Sequence, residues 1–540
     1  MKKVLFLFAF IMVMISNAQN HLTTSQWQED LKFLQETVHQ DYPFLFKKTT
    51  AEIFDVEVAT LHSKIPNLQE HEIIIGFASI VSLFKYGHTD ISFSKEPFAF
   101  SQLPFNLYHF NDGIYIQGTH KTQQGALGAK VVAIENVPVK KALKLIYPTF
   151  PSENSQFFKA YGINYLRIPE VLHAKGITSS LKNSVEFTLE KNGKTFKHVF
   201  SVLPDNQRIP VSYSLTKQNG DWLDARNQNG TPNYLKHLDK IYYYEYLPED
   251  KAVYVRHSQI QDDPSEAIPE FYERVFNFID VNDVEKLIID VRLNGGGNNY
   301  KNKPIITEII KSEKINKVGN LFVITGRRTF SACQNLVNEM SNYTNAIFVG
   351  EPTGENINFY GDNRTVELPN SKIPVFLSFA WWQDKPQWEN ADWLAPHIAV
   401  DMSFEEYKTN KDPVLQTALD FADNNFVVNP MQYLTDLFMK GDVEKLKSEA
   451  ARMVKDSKYQ FFDFEGEFNK AGYNVLGSGQ IQEAIFIFQM VTDLFPNSAN
   501  AWDSLAEAYL KAGDKTKALA YYNKAIKLDP EGDTGKNAKK

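Results

Sequence analysis

The chain has 540 residues, too many for one compact domain, and its 43% hydrophobic and 13% aromatic content excludes a disordered protein. A formal net charge of −8 with a pI near 5.9 argues against a nucleic-acid partner, since no basic stripe is available to neutralise phosphates. Cys333 is the only cysteine, which excludes an intramolecular disulfide.

Residues 1–18 have the pattern of an export signal. Lys2-Lys3 precede an apolar run from Val4 to Ile15 and a small-residue cleavage site, Ser16-Asn17-Ala18. The apolar run is too short for a comfortable membrane span, and no cysteine stands near the cleavage site to carry a lipid. We therefore expect a signal peptide over 1–18. The mature chain is expected to be periplasmic or secreted, without a lipid anchor or an integral membrane segment.

Residues 19–95 have the periodicity of amphipathic helices. One apolar face carries Trp27, Leu31, Leu34 and Val38, and a second helix is predicted to end at Tyr86-Gly87-His88-Thr89. Residues 96–205 change to short strand patterns separated by turn residues, with a short helix at 140–146. This change in period predicts two separate domains, one helical and one rich in strands.

Residues 206–425 begin with a polar stretch over 206–240 that predicts a long loop, and from 241 strands and helices alternate. The apolar run Leu287–Val291 leads into Gly295-Gly296-Gly297. A second run, Leu321–Thr325, leads into a turn that carries Ser331 and then into a helical pattern. A strand-to-helix turn presents a hydroxyl at a helix N-terminus, and a glycine run lets a second backbone segment approach it. These are the parts of a serine nucleophile and an oxyanion hole.

Other interpretations of this stretch remain open. The glycines also suit a phosphate cradle or a plain tight turn. Cys333 is either a small buried helix residue or an alternative nucleophile. Asp290 and Arg292 are predicted to form an ion pair or strand-end cap behind the glycine turn. The Arg327-Arg328 pair fits either a substrate carboxylate or the protein surface.

Residues 426–540 contain a helical repeat. Aromatic and small residues recur 34 positions apart, which is the tetratricopeptide period. The recurring residues are Phe468, Gly472, Gly479, Ala484 and Phe488, then Trp502, Ala506, Gly513, Ala518 and Tyr522. We predict two tetratricopeptide units with a further helix at 431–454 packed against them.

The order of these features resembles the carboxyl-terminal processing (tail-specific) serine peptidase family from about residue 25 to residue 420. The segments that carry the resemblance are Tyr86–Thr89, Gly125–Val139, Asp290–Gly297, Phe330–Ala332, Gly350–Gly354, Glu389-Asn390 and Ala395-Pro396. The resemblance implies a multidomain α/β protein. Its parts are an N-terminal helical domain (19–95), a PDZ-like insert (96–205), a crotonase/ClpP-like catalytic core (206–425) and the helical repeat domain.

The resemblance also implies the catalytic residues. Many members of the family use a Ser–Lys dyad, but Asn356 stands here where that lysine would fall. The branch that includes the tricorn core protease takes a histidine from the N-terminal region and a glutamate after the active-site strands. Here His88 and Glu389 match these positions, although Gly87 replaces the serine that precedes the histidine in tricorn.

The expected roles follow from the chemistry of serine hydrolysis. Ser331 attacks the scissile carbonyl, His88 with a pKa near neutral takes the proton, and Glu389 orients the imidazole. The N–H groups of Ala332 and of Gly295 or Gly296 hold the oxyanion. Taken alone, His88 also fits a helix C-cap and Glu389 a solvated carboxylate.

We therefore expect an exported serine endopeptidase that hydrolyses peptides or unfolded protein tails. The PDZ-like segment is expected to dock the substrate, although it lacks a clear Gly-Leu-Gly-Phe carboxylate loop. No cofactor is expected, and no metal site, since no HxxxH or HExxH motif is present. Two alternatives stay open: a non-catalytic ligand- or peptide-binding protein on the same scaffold, or a scaffold whose repeats bind a protein partner.

Overall fold

The computed structural model describes residues 22–204, 207–388, 391–422 and 426–539. The predicted signal peptide and Glu389 lie outside these ranges. In the part of the chain that is described, no helix combines the length and the apolar character needed to cross a membrane.

Three helices form the N-terminal part: α1 (Thr24–Asp41), α2 (Ala51–Lys64) and α3 (Glu70–Val81). Thr23 and Gln26 form a capping box that starts α1, and the predicted apolar face is buried. The helical pattern ends earlier than the sequence predicts. After α3 a 3-10 turn is closed by Lys85 in a left-handed conformation, so His88 lies beyond the helix and does not cap it.

A seven-stranded antiparallel sheet follows. Its strands are β2 (Phe105–Phe110), β3 (Gly113–His120), β4 (Lys130–Ile134), β5 (Val137–Pro138), β6 (Ser184–Lys191), β7 (Lys194–Ser201) and β10 (Trp222–Asp224). Three short helices lie between β5 and β6: α4 (Val139–Ile146), α5 (Ser155–Ala160) and α6 (Pro169–Ala174). The stretch 206–240 differs from the predicted loop, because it adds β10 to this sheet and forms the small hairpin of β8 (Val211–Ser212) and β9 (Leu215–Thr216).

The α/β core is a six-stranded sheet in the order β11-β12-β13-β14-β15-β18, parallel except for the β11–β12 pair. Its strands are β11 (Tyr242–Leu247), β12 (Ala252–His257), β13 (Lys286–Asp290), β14 (Leu321–Thr325), β15 (Ile347–Gly350) and β18 (Ile398–Ala399). The helices that accompany it are α7 (Ile268–Val281), α8 (Lys303–Lys311), α9 (Ala332–Tyr343), α10 (Phe404–Lys408) and α11 (Pro413–Leu419). Adjacent β13 and β14 bring the glycine turn and the Ser331 turn to the same sheet edge.

A separate three-stranded sheet joins the N-terminal part to the core. The hairpin of β16 (Phe359–Glu367) and β17 (Pro374–Trp382) leaves the core, and β17 pairs with the two-residue β1 (Asp90–Ile91). Because β1 begins two residues after His88, this pairing carries the histidine to the core.

The C-terminal helices cover the other face of the core sheet. They are α12 (Pro430–Met439), α13 (Val443–Lys455), α14 (Phe464–Gly477), α15 (Ile481–Leu494), α16 (Ala499–Lys511), α17 (Lys515–Leu528) and α18 (Asp533–Ala538). The predicted single helix at 431–454 is broken into α12 and α13 at Gly441, which has a φ of 72°. Leu434, Leu437 and Ile487 share one buried cluster with Ile288 and Phe322 of the sheet.

Candidate active site

Ser331 stands at the sharp turn between β14 and α9, as the N-cap of that helix. Its backbone has a φ of 55° and a ψ of −130°, a conformation that residues other than glycine rarely adopt. Strain of this kind is typical of a nucleophile turn, because it pushes the hydroxyl out ahead of the helix. The N-terminal dipole of α9 also favours negative charge at this point.

The glycine turn lies directly against Ser331. A Cβ on Gly296 would stand 2.6 Å from the Ser331 Cβ and 3.0 Å from the Ala332 nitrogen, so only glycine allows this approach. Asn294 fastens the two turns together: its carbonyl accepts from the Phe330 N–H at 3.2 Å, and its Oδ1 accepts from the Gly296 N–H at 2.9 Å. This bracket fixes the glycine turn relative to the hydroxyl.

The structure brings His88 and Ser331 together although they lie 243 positions apart. His88 Nε2 is 3.1 Å from Ser331 Oγ, a hydrogen-bonding distance. The His88 carbonyl accepts from Asn363 Nδ2 on β16 at 3.1 Å, and Thr89 Oγ1 lies 2.6 Å from Ser378 Oγ on β17. The β16–β17 hairpin therefore holds the histidine on both sides of its peptide.

Stacked aromatic rings enclose the imidazole. Phe330 lies on one face with ring centroids 4.7 Å apart, and Phe359 lies parallel on the other at 6.2 Å. The side chain is only 15% exposed. Because burial disfavours the imidazolium, the pKa of His88 is lowered to about 4, so the near-neutral pKa expected from the sequence is not what the structure gives. The ring is neutral at pH 7 and its free nitrogen can accept a proton.

Two buried carboxyl groups lie beneath this pair. Glu355 Oε2 accepts from the Ser331 N–H at 2.7 Å and lies 3.9 Å from His88 Nδ1. Glu153 is the neighbouring carboxyl, and it accepts from the Gly87 N–H and the Asn356 side chain. Burial, with the neighbouring Glu153 carboxyl next in effect, raises the pKa of Glu355 well above its ordinary value. Burial raises the pKa of Glu153 as well, so the pair of carboxyl groups retains a proton and carries a single negative charge.

One lysine balances that charge from the cleft side. Lys48 Nζ lies 3.9 Å from Glu153 Oε2, and the two side chains are 27% and 0% exposed. The cleft beyond them has a volume of about 640 Å³, with Lys47 and Lys85 also on its walls together with Trp381 and Trp393. The carboxyl pair thus separates this cleft from Ser331.

Among the described residues, no carboxylate forms a hydrogen bond with the His88 imidazole. His88 Nδ1 is buried and makes no hydrogen bond with any of them, and 3.9 Å from Glu355 is too long for one. Glu389 falls outside the described ranges. The nearest described residue on its C-terminal side, Ala391, accepts from the Ile357 N–H at 3.2 Å, two residues beyond Glu355.

The candidate oxyanion donors differ in availability. Within the described ranges nothing accepts from the N–H groups of Ala332 and Gly295, whereas the Gly296 N–H is bonded to Asn294. Of the two glycines considered, Gly295 is therefore the available donor. Its N–H and that of Ala332 belong to the two turns that Asn294 joins.

The neighbouring candidates have other environments. Cys333 is fully buried, which confirms the prediction of a small buried helix residue, and burial raises the pKa of its thiol well above the ordinary value. Asp290 and Arg292 form the predicted ion pair, at 2.8 Å, and Asp412 binds the same guanidinium at 2.9 Å. In the described part of the chain, no group of three or more His, Cys, Asp or Glu side chains is arranged to hold a metal ion.

Several solved structures are similar to this chain. Mature CPAF matches 75% of this chain and 99% of its own at 12% identity, with a TM-score of 0.50. Mature CPAF complexed with lactacystin matches 71% of this chain and 95% of its own at 12% identity and a TM-score of 0.48. A photosystem II D1 C-terminal processing protease matches 69% and 93% at 11% identity and a TM-score of 0.31. The chain has the fold of mature CPAF, which confirms the multidomain α/β architecture expected from the sequence.

The C-terminal region matches a known repeat. Residues 499–531 match the tetratricopeptide repeat family, which confirms the repeat assignment there. The CTR9 homologue of Arabidopsis thaliana is 30% identical over 91 residues, 17% of this chain and 8% of that protein. Human superkiller complex protein 3 is 39% identical over 62 residues, 12% of this chain and 4% of that protein. The chain spans less than a tenth of the length of either curated relative.

Sequence reasoning did not assign roles to Glu153, Glu355 and Lys48. Glu355 was visible only as a neighbour of Asn356, and Glu153 lies in a stretch where no helix was predicted. Gly354 brings Glu355 to the site, because its Cα packs so closely on the Arg327 carbonyl that a Cβ would lie 2.2 Å from that oxygen. The glycine that precedes Glu355 is the one signal for this residue that the sequence contains.

Proposed function

We propose that this protein is a serine endopeptidase that hydrolyses peptides or unfolded protein tails. The observation that carries the proposal is the 3.1 Å approach of His88 Nε2 to Ser331 Oγ, at a strained helix N-terminus beside a glycine turn. A neutral imidazole beside a serine hydroxyl is the arrangement that acyl transfer needs. A binding protein has no need of this strained turn and buried base together.

The proposed mechanism assigns each group a step. His88 Nε2 takes the Ser331 proton as Oγ attacks the carbonyl, and then returns it to the leaving amine. The Ala332 and Gly295 N–H groups hold the oxyanion. Glu389 accepts from His88 Nδ1 in this scheme, and Glu355 holds the Ser331 backbone in place through its N–H.

The remaining assignments belong to the same proposal. The pattern of residues 1–18 supports export to the periplasm or the outside of the cell, where the mature chain would begin at Gln19. The sheet of β2 to β7 serves as the PDZ-like docking surface for an extended peptide. The tetratricopeptide units bind a protein partner. Mass measurement of the chain recovered from cells checks the predicted cleavage.

Hydrolysis of an unstructured fluorogenic peptide tests the proposed catalytic pair. Ser331→Ala and His88→Ala should each lower kcat by about a thousandfold or more, since each removes a group that acts in the chemical step. Ser341→Ala is the matched control, because Ser341 lies on the same helix and binds Lys385 Nζ at 3.0 Å. Retained turnover in Ser331→Ala would move the nucleophile elsewhere. Peptide binding without turnover by the wild type would favour the non-catalytic alternative.

A further inference from the structure

Arg328 is a cation beside the glycine turn that no carboxylate of the described residues balances. Its Nη1 donates to Ser214 Oγ at 2.5 Å, and its guanidinium lies 5.0 Å from the Tyr161 ring centroid and 6.0 Å from that of Tyr213. Its Nε is buried without a hydrogen-bond partner. The side chain is half-buried, so the guanidinium is partly removed from water, and a structural arginine in this position would be expected to have a counter-ion.

The neighbouring arginines show how this fold treats structural guanidinium groups. Arg327 is paired with Glu351 at 2.6 Å and Asp401 at 3.4 Å. Arg292 is held by Asp290 and Asp412 in the same way. Of these three arginines around the β14 turn, Arg328 alone has no carboxylate partner among the described residues.

Arg328 lies next to Gly295, in the glycine turn that packs against Ser331. Its Nη2 lies 3.9 Å from where a Cβ on Gly295 would stand, and the Tyr161 hydroxyl lies 4.0 Å from the same point. Gly295 precedes Gly296, which packs on Ser331. The positive charge therefore lies on the Gly295 side of the Ser331 hydroxyl, within reach of a substrate residue near the scissile bond.

The loop that holds Arg328 is itself strained. Tyr213 and Ser214 form the turn between β8 and β9 with φ values of 51° and 65°, although neither is glycine. Asn106 Nδ2 fixes the turn by donating to the Ser214 carbonyl at 2.8 Å. Strain of this kind persists where surrounding contacts hold a side chain for a function, and here it presents Ser214 Oγ to Arg328.

We infer that Arg328 binds a carboxylate of the substrate peptide and so determines specificity. The inference rests on the proposed peptidase function and names its substrate class. Preferred substrates carry a carboxylate near the scissile bond on the Gly295 side, either an Asp or Glu side chain or the free C-terminus. The substrate carboxylate supplies the counter-ion that the described residues do not, through a charge-assisted hydrogen bond from the guanidinium.

Matched peptides test this preference and separate its two sources. One series has amidated ends and compares Glu with Gln at each position around the scissile bond. The other keeps neutral side chains and compares a free C-terminal carboxylate with an amide. The wild type should show kcat/KM at least about tenfold higher for the acidic member in one series, the size expected of one charge-assisted contact. Equal kcat/KM values in both series would overturn the inference, whether or not any variant folds.

Three variants attribute the preference to Arg328. Arg328→Gln should bring the acid-to-neutral ratio close to one, and Arg328→Lys should keep part of it, since the charge remains. Arg274→Gln is the control and should keep the full ratio, because Arg274 also stacks on two aromatic rings but lies on α7, paired with Glu266. A full ratio in a folded Arg328→Gln would overturn the inference.

A binding measurement separates this inference from the peptidase proposal. Fluorescence anisotropy with Ser331→Ala should show tighter binding of the acidic peptide, and Ser331→Ala/Arg328→Gln should lose that difference. If the wild type hydrolyses nothing but this difference appears, the peptidase proposal fails and the carboxylate site stands. If the wild type hydrolyses both peptides equally and Ser331→Ala binds them equally, the peptidase proposal stands and the carboxylate site fails.

Discussion

The lowered pKa of His88 makes a quantitative prediction about pH. An ordinary imidazole loses its proton near pH 6.5, whereas burial between Phe330 and Phe359 lowers the pKa of His88 to about 4. In the proposed mechanism the neutral ring is the base, so kcat/KM should be half-maximal near pH 4 and should already have levelled off by about pH 6. The profile would then lie well below that of an unperturbed histidine.

The same pKa affects stability in a defined direction. Between pH 6.5 and about 4 the unfolded chain binds a proton at this residue and the folded protein does not, so stability falls as the pH falls. Since one pKa unit corresponds to about 1.36 kcal/mol, the change from 6.5 to about 4 corresponds to about 3 kcal/mol. The wild type should lose that much unfolding free energy relative to His88→Gln between pH 7 and pH 4.

Phe359→Leu is the perturbation that tests the cause. Opening one face of the imidazole to water should move the pKa of His88 upward, and the kcat/KM profile should move with it. Phe187→Leu, a buried phenylalanine of β6, is the control. The measurement is 13C NMR of labelled histidines, with His88 assigned by comparison with His88→Gln, because burial also lowers the pKa of His109, His257 and His397 to about 4. A His88 pKa at or above 6.5 would refute the reasoning.

Three further predictions concern the surroundings of the pair. Gly87→Ser would place a Cβ 2.6 Å from Phe157 Cζ, so it should destabilise the fold by about 1–3 kcal/mol in urea unfolding, whereas Gly125→Ser, with nothing within 4 Å, should not. Because the pKa of Glu355 is raised, the folded protein keeps this proton at pH values where the unfolded chain has already lost it, so the stability of the wild type falls as the pH rises. Glu355→Gln should therefore gain stability relative to the wild type between pH 5 and pH 8, and a flat difference would contradict this. Ser331→Gly should be more stable than Ser331→Ala by about 1 kcal/mol, because glycine relieves the strained φ; the opposite order in thermal unfolding would count against the strain.

Some residues of this site could be predicted from the sequence and others could not, for physical reasons. Ser331 and the glycine turn were predictable because both follow apolar strands, and the ends of adjacent parallel strands meet at one sheet edge. His88 was predictable only through its resemblance to a family motif, since its contact with Ser331 depends on pairing between a two-residue strand and a distant hairpin. No local pattern encodes that pairing.

The parts that could not be predicted depend on burial and on tertiary partners. The pKa values of Glu153 and Glu355 are raised because both carboxyl groups are removed from water in the same place. The sequence presents Arg327 and Arg328 as an equivalent pair. Only the fold shows that Arg327 is paired with two carboxylates, whereas Arg328 has no carboxylate partner among the described residues. The strands at 211–224 were missed because each has only two or three residues, too few to show an alternating pattern.

The position of the C-terminal helices sets a limit on how the chain can be divided. Repeat modules are often treated as detachable adaptors, yet here Leu434, Leu437 and Ile487 share one buried cluster with Ile288 and Phe322 of the core sheet. A chain cut before Pro430 would keep α11 on β14 and β15, but it would expose the rest of that buried cluster to water and so favour aggregation. The helices that precede and begin the repeat thus complete a hydrophobic core that starts in the six-stranded sheet, whose strands β13 and β14 lead to the glycine turn and to Ser331.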